Sequence, residues 1–265
     1  MNKLTVKNIS ALKGKRKITV LTAYDFPTAK LVDETGMDIV LVGDSVGMVC
    51  LGYESTLPVT MDDMLHHTRA VKRAVKHALL VTDMPFGSYR NVGSAVKNAK
   101  ALTHEGGADA VKLEGGQGVL SEVKAIVRTG IPVMGHLGML PQSIRELGGY
   151  KVQGKTKEEA DRIFDEAMEL ERAGVFSLVL ECVPMSLAKR VTKRLKIPTI
   201  GIGAGADTDG QVLVFHDVLG LESPVSPRFV RRYADLSQVI RNALTRYRSD
   251  VLKGKFPTAK ESFSG

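Results

Sequence analysis

Four acidic side chains stand where apolar segments of this chain end. Each segment is rich in Val, Leu and Ile, which is typical of a buried β-strand. The four residues are Asp44, Asp83, Glu114 and Glu181. A carboxylate at the end of a buried strand is costly unless a cation or a reaction requires it. Several of them on one rim predict a metal-dependent active site.

Three of these residues, Asp44, Asp83 and Glu114, form an all-oxygen set of the kind that suits Mg²⁺ or Mn²⁺. The sequence contains no HxH or HExxH pattern that would indicate zinc instead. Asp44 and Asp83 have a second interpretation, since an Asp that begins a strand-to-helix loop often caps the helix that follows. We expect the three carboxylates to bind one Mg²⁺ per subunit.

Lys112 precedes Glu114 by two positions in the same apolar segment. Residues at i and i+2 of a strand share a face, so both side chains should point into the same space. A lysine there could bind the carboxylate or carbonyl oxygen of a substrate. The alternative is a buried Lys–Glu ion pair with a structural role only.

Two further residues could take part in proton transfer or binding. Glu181 is a candidate general base, and its alternative is an ion pair with a neighbouring Lys or Arg. His136 lies in Gly135-His136-Leu137-Gly138, where the glycines would permit close approach of a ligand. We predict that His136 binds substrate, although a lone histidine on an apolar strand can also be a satisfied core residue.

Apolar segments alternate with helical patterns along the whole chain, which is typical of repeated βα units. A length of 265 residues fits one (β/α)8 barrel. We therefore predict an α/β protein, a TIM barrel in a single domain over residues 1–265, with a short N-terminal extension and a C-terminal helix. The predicted strands are Ile18–Ala23, Ile39–Gly43, Leu79–Thr82, Ala110–Leu113, Pro132–Gly135, Ser177–Leu180, Thr199–Ile202 and Gln211–Phe215. The predicted helices are Pro27–Thr35, Met61–His77, Val92–Glu105, Gly118–Thr129, Lys157–Ala173, Ser186–Leu195 and Leu236–Leu252.

Composition restricts the classes of function. The net charge of +8 would allow nucleic-acid binding, but the chain has no Trp and no aromatic residues interleaved with its basic segments. We interpret the basic residues as solvated helix faces that also attract small anions. The two cysteines, Cys50 and Cys182, have no CxxC spacing. With no signal peptide or 18-residue apolar segment, a cytoplasmic protein without membrane or nucleic-acid partners is expected.

Eight motifs in chain order resemble the ketopantoate hydroxymethyltransferase family, and the resemblance covers nearly the whole chain. No position that the family uses for chemistry is substituted. The motifs are Leu41-Val42-Gly43-Asp44-Ser45-Val46-Gly47-Met48, Tyr53-Glu54-Ser55-Thr56-Leu57-Pro58-Val59-Thr60, Asp83-Met84-Pro85-Phe86, Val111-Lys112-Leu113-Glu114-Gly115-Gly116, Gly135-His136-Leu137-Gly138, Gly148-Gly149-Tyr150-Lys151-Val152-Gln153-Gly154, Leu180-Glu181-Cys182-Val183-Pro184 and Gly201-Ile202-Gly203-Ala204-Gly205.

The resemblance implies transfer of a hydroxymethyl unit from 5,10-methylenetetrahydrofolate to 3-methyl-2-oxobutanoate, giving 2-dehydropantoate on the way to pantothenate and coenzyme A. It implies Mg²⁺ bound by the three carboxylates, and a homodecamer. Ser45 and Lys112 correspond to substrate-binding residues, with Asp44 and Asp83 also near the keto acid. Glu181 corresponds to the proton acceptor. The alternative is a Mg²⁺-dependent C–C lyase or phosphonomutase of the same superfamily of phosphoenolpyruvate-type barrels.

Overall fold

The structure is a computed structural model that describes residues 2–143, 151–221 and 227–264. In these residues eight parallel strands close into one barrel in sequence order. The strands are β1 (Ile18–Thr22), β2 (Ile39–Val42), β3 (Leu79–Asp83), β4 (Ala110–Glu114), β5 (Val133–Gly138), β6 (Ser177–Glu181), β7 (Thr199–Ile202) and β8 (Gly210–Leu213). The closing pair is β1 with β8, where Ile18 stands opposite Gly210. The predicted (β/α)8 barrel is therefore confirmed.

The helices of the described residues lie between the strands and at the two ends of the chain. They are α1 (Val6–Ser10), α2 (Phe26–Glu34), α3 (Val46–Val49), α4 (Met61–Ala74), α5 (Val92–Lys100), α6 (Leu120–Arg128), α7 (Lys157–Ala173), α8 (Met185–Arg194), α9 (Phe215–Leu219) and α10 (Leu236–Leu252). Short 3₁₀ turns occupy Gln117–Val119, Pro141–Ser143 and Ala259–Glu261.

All eight predicted strands exist, and one boundary matters for the site. The prediction ended the fifth strand at Gly135, whereas β5 continues to Gly138 and places His136 inside the strand. The predicted helix Val92–Glu105 ends its regular part at Lys100 and finishes as a π-helical turn, Ala101–Glu105. The helices α1, α3 and α9 were not predicted, because elements of four or five residues are too short to show a helical period.

Two helix starts and one helix end follow local sequence rules. Thr60 was predicted to cap a helix, and its side chain accepts from the backbone N–H of Asp63 while Asp63 bonds back to it. Thr156 and Glu159 do the same at the start of α7. Gly174 ends α7 in a left-handed conformation, with φ of 97°, which glycine adopts without strain.

Branched apolar side chains fill the barrel. Ile18, Ile39, Leu79 and Ile200 belong to one buried cluster, together with side chains from the other strands. Ile9 of α1 is completely buried in the same cluster. Burying one side chain of this size stabilises the fold by about 1.5–3 kcal/mol. The N-terminal extension therefore forms part of the barrel core.

Basic side chains of the N-terminal extension form ion pairs with three aspartates, each of which directly precedes a strand. Ion-pair distances are 2.9 Å from Lys3 to Asp109, 2.6 Å from Lys13 to Asp209 and 2.6 Å from Arg16 to Asp38.

Each of the three aspartates also accepts a backbone N–H from the neighbouring strand. The donors are Thr19 for Asp38, Leu80 for Asp109 and Thr199 for Asp209, at 2.9, 2.8 and 2.9 Å. Carboxylates at the amino-terminal end of the barrel are therefore fully used in holding adjacent strands together, as expected for the end of this fold that serves stability.

Residue contacts divide the chain into two compact units, 1–215 and 216–265. The first contains the complete barrel. In the second, Asp235 caps α10, and the N–H of Tyr233 donates to the carbonyl of Val218. The single domain over residues 1–265 stays a prediction. Among the described residues no helix is long and apolar enough to cross a membrane.

We expect Asp38→Ala to lower the free energy of unfolding by about 2–3 kcal/mol, because hydrogen bonds to a charged acceptor are lost and the N–H of Thr19 is left without its partner. Urea denaturation measures this loss. Asp161→Ala, which removes an ion-paired carboxylate from the surface of α7, is the control and should have little effect. An equally small effect for Asp38→Ala would contradict the role assigned to the aspartates at this end.

Candidate active site

The residues predicted from the sequence to do chemistry meet at the carboxyl-terminal end of the barrel. Asp83, Glu114 and Glu181 are the last residues of β3, β4 and β6, and Asp44 follows β2 by two positions. All four carboxylates are buried, with exposed fractions of 3–9%. Lys112 and His136, on β4 and β5, are also buried.

One half of the cluster joins Asp44, Asp83 and Lys112. The ammonium nitrogen of Lys112 lies 2.9 Å from Oδ1 of Asp83. The other oxygen of Asp83 accepts the backbone N–H of Asp44 at 3.1 Å. Lys112 thus pairs with Asp83 on the adjacent strand, so the predicted alternative of a simple Lys112–Glu114 pair does not describe the contacts.

The other half of the cluster is arranged around the imidazole of His136. Its Nε2 lies 3.1 Å from Oε2 of Glu181, and its Nδ1 lies 3.4 Å from Oε1 of Glu114. The ammonium of Lys112 is also 3.4 Å from Nδ1. The partner of Glu181 is therefore this histidine, in place of the Lys or Arg of the alternative interpretation. His136 links the candidate base to the carboxylate half of the site.

Three residues that the sequence did not single out complete the site. The side-chain amide of Gln142 donates to Oδ2 of Asp44 at 2.7 Å, and the hydroxyl of Tyr89 donates to Oε1 of Gln142 at 2.6 Å. The hydroxyl of Tyr24, which follows β1, lies 2.7 Å from Oγ of Ser45. Tyr24 could have been suspected from its place after a strand, whereas nothing near Gln142 in the sequence indicates a contact with Asp44.

Burial and mutual repulsion shape the charges of the two aspartates. Burial, followed by the nearby Asp83 and Glu114, raises the pKa of Asp44 well above its usual value, although Lys112 and Gln142 oppose this. Burial also raises the pKa of Asp83, and Lys112 limits the increase. Among the described residues the four carboxylates of the cluster outnumber its two cationic side chains, Lys112 and His136, and the raised pKa values reflect this crowding.

The pKa values of His136 and Glu114 are both shifted so that the charged form is favoured. Burial alone lowers the pKa of His136, and so does Lys112, but Glu114 and Glu181 outweigh them and raise it to about 9. Burial alone would raise the pKa of Glu114, yet His136, Lys112 and the N–H of Gln142 bring it below its usual value. Near neutral pH these residues therefore form an ionised pair.

Helix capping does not explain Asp44 or Asp83. The residue before α3 is Ser45, which makes no side-chain capping bond, and α5 begins at the capping residue Asn91. Asp25, also at this end of the barrel, is by contrast a helix cap that accepts the N–H of Thr28. The structure thus separates Asp25, which has a local structural role, from the carboxylates that face one another.

The backbone around Glu181 is held tightly. A Cβ on Gly138 would lie 2.1 Å from the carbonyl oxygen of Glu181, so only glycine fits there. This glycine was expected to admit a ligand, and instead it makes room for the neighbouring strand. Cys182 has φ of 49°, an uncommon conformation for a residue with a side chain. Both features fix the direction in which Glu181 leaves β6.

The donor chemistry fits a divalent cation. Oδ1 of Asp83 and Oε1 of Glu114 are buried, and their contacts among the described residues are the ion pairs with Lys112 and His136, with no further hydrogen bond. Across residues 2–143, 151–221 and 227–264, no group of three or more His, Cys, Asp or Glu side chains is already arranged to hold one ion. Mg²⁺ does not require such a group, because it usually binds through one or two carboxylates and keeps several waters.

Part of the glycine-rich motif Gly148–Gly154 lies outside the described residues, which resume at residue 151. Within the described part, the N–H of Gln153 donates to the carbonyl of Cys182 at 2.9 Å. Cys50 and Cys182 are both free thiols.

Comparison with known proteins gives a consistent result. The family model of ketopantoate hydroxymethyltransferase matches residues 3–259. The chain is 56% identical to 3-methyl-2-oxobutanoate hydroxymethyltransferase of Moorella thermoacetica, over 99% of this chain and 98% of that protein. It is 57% identical to the protein of the same name from Thermoanaerobacter sp., over 95% of this chain and 92% of that protein.

Among solved structures, phosphoenolpyruvate phosphomutase from Streptomyces platensis subsp. rosaceus has a similar fold, with a TM-score of 0.64 and 13% identity over 99% of this chain and 92% of that chain. At this identity the similarity concerns the fold alone.

We expect Lys112→Met to lower the free energy of unfolding by about 3–5 kcal/mol in metal-free buffer, because removing one partner leaves Asp83 as an uncompensated buried charge. Adding Asp83→Asn to this variant removes that charge and should restore most of the loss. Urea denaturation of both variants measures the difference. Lys124→Met, on the exposed face of α6, is the control. A double variant no more stable than Lys112→Met would show that the two side chains do not stabilise each other.

Proposed function

Since the chain belongs to the ketopantoate hydroxymethyltransferase family, we propose that it transfers a hydroxymethyl unit from 5,10-methylenetetrahydrofolate to 3-methyl-2-oxobutanoate, giving 2-dehydropantoate. The observation that carries this proposal is the buried Glu181, held 3.1 Å from His136 beside a cluster of three carboxylates and a lysine. That arrangement suits removal of a proton next to a carbonyl group.

In this proposal Asp44, Asp83 and Glu114 hold one Mg²⁺ per subunit. When bound, the ion acts as a Lewis acid toward the carboxylate and keto oxygens of the 2-oxo acid. Support comes from the all-oxygen donor set and from the burial of four carboxylates beside two cationic side chains, Lys112 and His136, among the described residues. The chain's own residues then perform the remaining tasks.

Binding of the keto acid falls to Ser45, Lys112 and His136, with Asp44 and Asp83 close by. The ammonium of Lys112 is buried and already paired with Asp83, so it is a fixed positive charge in a site without bulk water. A positive charge in such a site stabilises the oxygen that becomes negative during the reaction more strongly than the same charge would in water. The hydroxyl of Ser45 is held by Tyr24, which orients it toward substrate.

Glu181 is the proton acceptor. Its carboxylate takes the proton from C3 of the keto acid, which leaves the electron pair shared between C3 and the keto oxygen as an enolate. In the overall transfer C3 forms the new C–C bond to the methylene carbon carried by the folate, both C–N bonds of that carbon break, and one water molecule supplies the hydroxyl oxygen of the product. The proton taken from C3 and one proton of that water end on the two nitrogens of tetrahydrofolate. His136 positions the Glu181 carboxylate through the 3.1 Å contact, and the buried site keeps bulk water away from the enolate.

The proposal extends to assembly and compartment on the family resemblance. The subunits form a homodecamer, and the enzyme works in the cytoplasm on small molecules. No membrane or nucleic-acid partner enters the proposed function. Counting subunits by light scattering tests the assembly independently of activity.

A C–C lyase or phosphonomutase shares this fold, as the 13% identical phosphomutase does, but the relatives that are 56% and 57% identical are hydroxymethyltransferases by name. The two functions differ in whether product requires a one-carbon donor. Turnover of a 2-oxo acid substrate without folate would favour the lyase.

An NMR time course in D2O tests the proposed function. Enzyme, Mg²⁺, 3-methyl-2-oxobutanoate and methylenetetrahydrofolate are mixed, with parallel samples that lack folate or metal. We expect 2-dehydropantoate only in the complete mixture, and loss of the C3 proton signal without folate if proton removal stands on its own. If folded protein gives no product and no exchange of the C3 proton, the proposal is overturned.

We expect Glu181→Gln to lower kcat by at least about 10²-fold, because the amide cannot accept the proton, while the keto acid still binds. Steady-state kinetics and a keto-acid titration measure both quantities. Glu166→Gln, a change of the same kind at a half-buried position of α7, should leave kcat unchanged. Normal turnover by Glu181→Gln would remove this residue from the mechanism.

A further inference from the structure

Gln142 is the most highly bonded uncharged side chain near the carboxylates. It lies in the 3₁₀ turn Pro141–Ser143, which follows β5, and only 5% of it is exposed. A buried amide costs about 1–3 kcal/mol when its hydrogen bonds are not made. All of the hydrogen-bonding groups of this amide find partners, so its position is closely determined.

Its contacts join the ends of three neighbouring strands. Nε2 donates to Oδ2 of Asp44 at 2.7 Å and to the backbone carbonyl of Met84 at 3.0 Å. Its backbone N–H donates to Oε2 of Glu114 at 3.0 Å. The residues contacted follow or end β2, β3 and β4, which are the strands that carry the proposed cation ligands.

The neighbours of the Gln142 amide determine which way it faces. The Met84 carbonyl can only accept, so the nitrogen must face it. The oxygen then faces Tyr89, whose hydroxyl donates to Oε1 of Gln142 at 2.6 Å. A reversed amide would place oxygen against oxygen on one side.

We propose that Gln142 is a positioning residue that aims the carboxylates of Asp44 and Glu114 at the bound cation and keto acid, and that Tyr89 holds its amide in place through Oε1. The proposal deepens the function proposed above and rests on it. Gln142 takes one oxygen of each carboxylate, Oδ2 of Asp44 and Oε2 of Glu114, so the other oxygen of each is directed away from it. The contact of Oε1 of Glu114 among the described residues is the one at 3.4 Å to His136. Hydrogen bonds of this kind hold ligands in the orientation that the metal requires.

Gln142→Met keeps the length of the side chain and removes its donors and its acceptor. We expect it to weaken Mg²⁺ binding on the order of 10–100-fold, the usual effect of losing such a partner. Tyr89→Phe removes one oxygen atom and leaves Oε1 of Gln142 without its donor, while the bonds of Nε2 remain, so a smaller loss is expected. The double variant should be no weaker than Gln142→Met, because Tyr89 acts through Gln142.

Calorimetric titration of Mg²⁺ into metal-free protein tests these expectations on the wild type, the three variants and Asn98→Leu. Asn98 is the matched control, since its amide donates to the carbonyl of Ser88 at 2.6 Å and contacts none of the carboxylates. We expect Asn98→Leu to lose stability and keep its Mg²⁺ affinity. Kinetics on the same proteins should show a higher KM for the keto acid in Gln142→Met, with a smaller change in kcat.

An unchanged or tighter Mg²⁺ affinity in folded Gln142→Met would overturn the proposal, and tighter binding would mean that the amide competes with the cation. If Gln142→Met does not fold, an unchanged affinity in Tyr89→Phe has the same consequence. Wild-type protein that binds no Mg²⁺ also overturns it. If Mg²⁺ binding depends on Gln142 as expected but wild-type protein yields no 2-dehydropantoate, the proposed function is refuted and the positioning role is supported.

Discussion

At one end of the barrel the described residues bury four carboxylates beside two cationic side chains, Lys112 and His136, and the rest of the site depends on this constraint. Like charges at short range in a medium of low polarity repel strongly, and each also loses its hydration. Lys112 and His136 offset part of that repulsion through contacts of 2.9–3.4 Å. The remaining charge lowers the stability of the protein, and the proposed cation would offset it. Natural proteins retain such a conflict where function requires it.

The two ends of the barrel use the same residue type in opposite ways. Asp38, Asp109 and Asp209 precede strands, accept backbone N–H groups and pair with cations of the N-terminal extension. Their bonding capacity is used within the protein. Asp83 and Glu114 end strands, and the buried groups that they contact, Lys112 and His136, are themselves candidate site residues. An acidic residue beside an apolar segment is therefore ambiguous, and the direction of the strand decides whether it stabilises the fold or faces the substrate.

This ambiguity defines how far the sequence could be interpreted. Continuous apolar segments are a strong signal for parallel strands, so β1 to β8 and the end of the barrel that carries Asp44, Asp83, Glu114 and Glu181 were predictable. Contacts were not. Gln142 and Asp44 are 98 positions apart, and no local pattern brings a glutamine in a short turn to a carboxylate on another strand. The Lys112–Asp83 ion pair could not be predicted for the same reason, because the i, i+2 rule links Lys112 only to Glu114 within its own strand.

The proposed base and the proposed cation ligands are held by different means. Backbone geometry directs Glu181, since Gly138 lies against its carbonyl, and Cys182 adopts a left-handed conformation directly after it. Hydrogen bonds from Gln142 direct Asp44 and Glu114, the first through its side-chain amide and the second through its backbone N–H. His136 contacts both Glu181 and Glu114 and joins the two parts. A change at Gln142 therefore acts first on the carboxylates and reaches the base only through one imidazole, which is why cation binding and proton removal can be separated by mutation.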